Sequence, residues 1–180
     1  SLATADVNGD KLDDIIIGAP FYASPDEKDK SFEKGRVYVA LQNRDHQFKI
    51  ASHVTGTKSK GRFGLSLASL GDLNKDGYDD IAIGAPYDSK PGSSNTNGAV
   101  YIYLGSKKGL KDRYSQVIYA EDVSDALGLR TFGWSLSGGL DSDENDYMPK
   151  IVSQKLIYNC PLEETFLLSL QVLAMASKIE

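Results

Sequence analysis

Cysteine is nearly missing. Cys160 stands alone in 180 residues, so no disulfide closes within the sequence, and this usage fits the cytosol or a secreted chain alike. Histidine is almost as scarce: His46 and His53 are the two present, neither has metal-ligand or triad spacing to a partner, and both read as surface residues. Basic charge is in deficit as well. Twenty Lys and Arg against 25 Asp and Glu give a net charge of −5, with a pI near 5.1. The basic residues are dispersed apart from short groups such as Lys107-Lys108, which excludes a phosphate backbone and makes nucleic acid an unexpected partner. Long apolar runs are absent too; the longest, 165–176, is broken by Ser169 and Gln171 and falls short of the roughly 18 residues a spanning helix needs. The first residue is Ser1, and no charged-then-apolar leader follows it, so the sequence is expected to start inside a longer protein.

What is present is a globular composition, 41% apolar and 25% charged in 19.6 kDa, enough to bury a core. It is organised as a repeat. "DVNGDKLDDIIIGAPFY" at 6–22 lies over "DLNKDGYDDIAIGAPYD" at 72–88, an offset of 66 residues. "GRVYVAL" at 35–41 returns as "GAVYIYLG" at 98–105, and "FGLSLASLGDLNKDGY" at 63–78 returns as "FGWSLSGGLDSDENDY" at 132–147. Shared acid spacing, Gly-Ala-Pro and alternating aromatics mark copies of one structural unit.

Each copy reads as strands. Phe63, Leu65, Leu67 and Leu70 nearly alternate with small or polar residues, and "GAVYIYLG" alternates β-branched with aromatic residues. "DDIAIGAPY" is a second strand stopped at Pro86, which has no amide for a ladder, and "SQVIYA" at 115–120 is a fourth. Four short antiparallel strands repeating at about 65 residues fit the blade of a propeller. The fold class is therefore all-β, a partial β-propeller. Tyr38, Tyr101 and Tyr103 read as cross-strand packing, "GSKKG" at 105–109 as a hairpin, and the Gly-x-Ser stretches at 64–68 and 133–137 as strand and not nucleophile elbows.

The elements "FG" at 63–64, "DLNKDGYDD" at 72–80 and "GAP" at 84–86 resemble the FG-GAP repeat of integrin alpha subunits, cell-adhesion receptors with a propeller head. The resemblance covers roughly residues 2–147 and implies a late-blade fragment: a partial blade at 1–55, a complete one at 56–125 and the start of a third at 126–147. It also implies a beta-subunit partner in a heterodimer, an extracellular-matrix or cell-surface protein ligand, a place on the extracellular side of the plasma membrane, and membrane attachment only through a region outside this stretch. Two other readings stay open, the propeller portion of a secreted phospholipase-type hydrolase and a structural repeat protein.

The acids point to calcium. In an EF-hand loop, positions 1, 3 and 5 give side-chain oxygens, glycine at 6 allows the sharp turn and position 7 offers a carbonyl. Asp72, Asn74, Asp76, Gly77 and Tyr78 fill those places, and Asp80 at position 9 closes a shorter loop, as the integrin motif expects. Converging carboxylates repel, and oxygen-only donors favour Ca2+ over zinc or copper. Asp, Asn and Gly also make plain solvated turns, but a turn does not need the same oxygens at 1, 3, 5 and 9 in each copy. The first loop offers Asp6, Asn8, Asp10, Leu12 through its carbonyl, and Asp14; Lys11 stands where the turn glycine belongs, so weaker binding is expected there. The third offers Asp141, Asp143, Asn145 and Tyr147, with Pro149 at position 9.

The calcium turns and the Pro/Ser-rich connections at 20–35 and 86–98 are expected at opposite ends of the unit, and the resemblance implies that ligand and beta subunit are met at the latter end. After Tyr147 the pattern breaks. Residues 148–180 are expected to be a divergent tail and not a completed blade, with a helix starting at Pro161 and carrying Phe166, Leu167, Leu170 and Leu173 on one side. Two blades and part of a third leave faces uncovered, so the isolated chain is expected to fold marginally or associate.

Overall fold

A computed structural model describes residues 1–24, 32–123, 130–138, 150–154 and 169–173. Strands β1 (Leu2–Ala5), β2 (Asp14–Ala19), β3 (Arg36–Gln42) and β4 (Phe48–Thr55) form an antiparallel sheet in sequential order. All four strands form although no Phe-Gly precedes β1. Strands β5 (Ser66–Gly71), β6 (Asp80–Ala85) and β7 (Ala99–Tyr103) begin the second sheet. A hairpin of β8 (Gly105–Ser106) and β9 (Gly109–Leu110) follows where "GSKKG" predicts one, before β10 (Gln116–Tyr119) completes the order β10-β7-β6-β5. A single helical turn, α1 (Ala120–Val123), leads away from it. The fold is all-β, as the alternation predicts.

Burial records how the sheets stack. In β6 and β7 every residue is buried, whereas β2 alternates buried and half-buried positions. The second sheet is covered on both faces. On one side Ile81, Ile83, Tyr101 and Tyr103 join Ile16, Val37, Val39 and Val54 of the first sheet in one core around Phe63. On the other, Leu70, Ala82, Val100 and Ile102 pack with Phe132. Strand register matches Leu67, Ile83 and Tyr101, paired across the second sheet, with Leu2, Ile17 and Tyr38 of the first, which face away from the second sheet; Leu2 is 71% exposed where Leu67 is 8%.

The Phe-Gly and Gly-Ala-Pro elements are the two halves of this stacking. Phe63 donates its amide to the Lys34 carbonyl of the preceding unit, and Phe132 donates to Asn97 in the same way. The carbonyl after each Phe then reaches the glycine of the preceding Gly-Ala-Pro: a Cβ on Gly18 would run into the Gly64 carbonyl, and one on Gly84 into that of Gly133. The Ser66 hydroxyl donates to the same Gly133 oxygen at 2.6 Å, and that of Ser1 to Gly64 at 2.7 Å. Only a residue without a side chain allows sheets to approach this closely.

The tail departs from expectation. Strands β11 (Ser135–Ser137), β12 (Lys150–Gln154) and β13 (Ser169–Leu173) form a three-stranded antiparallel sheet, so the segment after 148 supplies a second and a third strand. The helix expected to carry Leu170 and Leu173 is replaced there by β13, paired with β12 from Lys150↔Leu173 to Gln154↔Ser169. Ser169-Leu170-Gln171-Val172 also alternates, and a short apolar run fits either period; pairing with β12 decides it. Pro161, Phe166 and Leu167 lie outside the described residues.

Gly18→Ala and Gly84→Ala are expected to destabilise by about 2–3 kcal/mol each, the scale of a forced overpacking. Gly92→Ala, with a left-handed φ of 85° but open space around it, is expected to cost only about 1 kcal/mol. Denaturant midpoints measured side by side check the contrast.

Candidate metal centres

Both acidic loops are β-hairpin connections, 6–13 between β1 and β2 and 72–79 between β5 and β6, and they fold alike. The Asp6 carboxylate accepts the Asp10 amide at 3.0 Å and the Lys11 amide at 2.7 Å; Asp72 accepts those of Asp76 and Gly77 at the same distances. The Asn8 amide group donates to Asp10 at 3.0 Å, and that of Asn74 to Asp76 at 2.9 Å. Asp10 accepts from the Leu12 amide, and Asp76 from the Tyr78 amide.

The turn needs left-handed backbone at its fourth and sixth positions. The loops meet this in opposite ways, with Gly9 (φ 72°) then Lys11 (φ 66°) in the first and Lys75 (φ 59°) then Gly77 (φ 88°) in the second. One glycine per loop suffices, at either place. Lys11 thus keeps the loop's shape at a backbone cost on the order of 1–2 kcal/mol.

Beneath each loop the ninth-position aspartate opens the second strand, fully buried. Asp80 is fully bonded, accepting the Leu73 amide at 3.0 Å and the Gly105 amide at 2.9 Å. Asp14 accepts the Gln42 amide at 2.9 Å, but its Oδ2 closes no hydrogen bond, although the Val7 amide stands near enough to favour its charged form. Burial pushes both carboxyls up to about 6, against the backbone amides, with a further push from Asp10 and Asp6 on Asp14 and from Asp76 and Asp72 on Asp80.

The expected donors therefore gather in two places. Asp6, Asn8 and Asp10 share one turn with Asp14 below, and Asp72, Asn74 and Asp76 share another with Asp80 below. Leu12 and Tyr78 follow the turns and carry the seventh position. Their carboxylates lie within electrostatic reach, yet among the described residues no group of three or more Asp, Glu, His or Cys side chains is drawn together tightly enough to enclose an ion. The donor chemistry still suits a hard divalent cation: every side-chain donor is oxygen, and Asp14 holds an unbonded buried oxygen beneath its loop. Asp141, Asp143, Asn145 and Tyr147 lie outside the described residues.

Sequence reasoning missed Asp79. Its carboxylate accepts the Asp6 amide at 3.0 Å across the two units, and burial raises its pKa. The doubled acids Asp13-Asp14 and Asp79-Asp80 were the available signal. At the opposite end, the buried Asp88 accepts the Tyr101 hydroxyl at 2.7 Å beside a cavity edged by Lys58, Ser89 and Tyr119. His46 and His53 are exposed, as expected.

The FG-GAP repeat family model matches residues 1–39 and 63–103. Integrin alpha-PS2 of Drosophila melanogaster is 50% identical over 151 residues, covering 82% of this chain and 10% of that protein. Integrin alpha-8 of Homo sapiens is 41% identical over 152 residues, and integrin alpha-IIb of Homo sapiens 43% over 154, each covering 84% of this chain and 14% of the relative. The chain thus spans 10–14% of the length of these relatives. Among the described residues no helix is long and apolar enough to cross a membrane.

A carboxyl raised to about 6 when folded, from 3.8, holds its proton more tightly in the folded state, so its contribution to stability grows as pH falls through 6 and is complete below about 4. Asp122, held down by Lys90, works the other way. In chelator, the chain is expected to gain stability between pH 7 and 5 relative to an Asp14→Asn/Asp80→Asn double variant. Urea midpoints at the two pH values check the sign.

Proposed function

The chain belongs to the FG-GAP repeat family, in its integrin alpha-subunit branch, and from that premise we propose that it is a calcium-braced part of the propeller with which an adhesion receptor meets its ligand. The units would run over 1–55 and 56–125, with a third opening at 126. Asp6, Asn8, Asp10, the Leu12 carbonyl and Asp14 would hold one calcium ion, and Asp72, Asn74, Asp76, the Tyr78 carbonyl and Asp80 a second. Asp141, Asp143, Asn145 and Tyr147 are the donors proposed for a third loop.

One observation carries the metal reading: two loops 66 residues apart fold with the same hydrogen bonds, each over a fully buried aspartate whose carboxyl is pushed up to about 6. A buried, desolvated carboxylate beneath further acids is costly in itself, and a cation offsets that cost. When bound, calcium supplies only charge and coordination. This chain's residues do the rest: the backbone amides orient Asp6 and Asp72 within their turns, and Asp80 ties its loop to the end of β7 through Leu73 and Gly105. The role is structural. At extracellular affinities of about 0.1–1 mM, each ion at about 1 mM calcium adds at most roughly 1.4 kcal/mol to stability.

The remaining parts of the reading follow from the relatives: a beta subunit as partner in a heterodimer, an extracellular-matrix or cell-surface protein as ligand, and an extracellular position at the plasma membrane. The same similarity favours a receptor over a hydrolase. Sheet order puts the acidic loops at one end of the first two sheets and the β2–β3 and β6–β7 connections at the other, so calcium in those loops would brace the end away from the proposed ligand surface.

Calorimetric titration tests the reading. The chain is expected to take up calcium in at least two sites of about 0.1–1 mM, with Asp14→Ala and Asp80→Ala each removing one. An absence of heat in the unmutated chain would falsify it.

A further inference from the structure

Contacts from the second unit hold the first loop. The Asp6 amide donates to Asp79 Oδ2 at 3.0 Å while the Asp79 amide donates back to the Asp6 carbonyl at 2.9 Å, a reciprocal clamp. The Ser106 amide donates to the Val7 carbonyl at 3.1 Å. The Tyr78 ring lies against Gly9, within 3.1 Å of where a Cβ there would stand. Asp6 opens the first loop and sets where its carboxylate points, and Asp79 makes no hydrogen bond to its own loop among those described.

We propose that Asp79 is a positioning residue for the neighbouring loop, holding the Asp6 end of the first calcium turn from the second sheet, so that calcium affinity in one repeat depends on the eighth loop position of the next. This rests on the metal reading above. The amide of the leading ligand residue must be satisfied for its carboxylate to stay aimed into the turn, and no group within the first loop does so. A carboxylate acceptor makes the stronger, charge-assisted form of that bond. The repeat explains the rest of the pattern. Asp13, the eighth position of the first loop, is exposed, as a clamp for a preceding loop would be before that loop is in place. In the third copy the sequence has Met148 at the eighth position, whose thioether is only a weak acceptor, in place of a carboxylate.

Calorimetry in two backgrounds separates the loops: Asp76→Asn, which disables the second, and Asp10→Asn, which disables the first. Asp79→Ala is expected to weaken calcium binding by the first loop about five- to tenfold, the scale of one net hydrogen bond, and to leave the second within about twofold. Asp79→Asn keeps an acceptor oxygen and is expected to restore the first loop to within about twofold. A second readout needs no metal: in chelator, hydrogen exchange at the Asp6 amide is expected to be slow in the parent and in Asp79→Asn but fast in Asp79→Ala. Calcium uptake with an unchanged first loop in Asp79→Ala, or equal losses in the Ala and Asn variants, would overturn this inference alone. No calcium uptake by the parent chain would overturn the metal reading and the affinity claim with it.

Discussion

A carboxylate that opens the second strand of each of the first two sheets, fully out of water, is the constraint on which the acidic-loop end depends. Asp80 accepts amides from Leu73 in the loop above it and from Gly105 beyond the third strand, so one side chain fixes hairpin, strand and strand end together. Asp14 performs half of this, bonding Gln42 at the end of β3 and leaving an oxygen free under its loop. Burying such a group raises its proton affinity, and every neighbouring acid raises it further. The arrangement therefore favours a positive charge, from a proton in acid or from a cation at neutral pH, and the proposed function is the second of these answers.

The blade-like sheets were legible because their signals are local and repeated. Alternation fixed the strands, Pro86 fixed where β6 stops, and the doubled pattern of acids fixed the hairpins. What eluded the sequence lay between units. Nothing in "DLNKDGYDD" says that its penultimate acid bonds an amide in another copy, because that partner is close only after two sheets stack. The role of Phe-Gly and Gly-Ala-Pro was hidden for the same reason: their partners are each other, one repeat apart.

The tail shows how a local signal loses to a tertiary one. Leu170 and Leu173 sit at helical spacing, and Pro161 with its following acids reads as a helix start, yet Ser169–Leu173 pairs with Lys150–Gln154. An edge strand with open amides and carbonyls offers a short apolar segment more than an isolated helix of the same length would, since short helices are marginal in water. Pro149 removes a side-chain donor at position nine, and the strand that follows it, β12, still forms.

The second repeat carries both a notch, the bare Gly84 of its Gly-Ala-Pro, and a key, the Gly64 carbonyl after its Phe, while the first supplies a notch at Gly18 and the third a key at Gly133. A gene encoding such units can lengthen or shorten by whole copies, since any newcomer arrives with both halves of the joint already cut. Changing a single notch spoils only one seam, so the damage stays between two adjacent sheets while the other seams hold their fit.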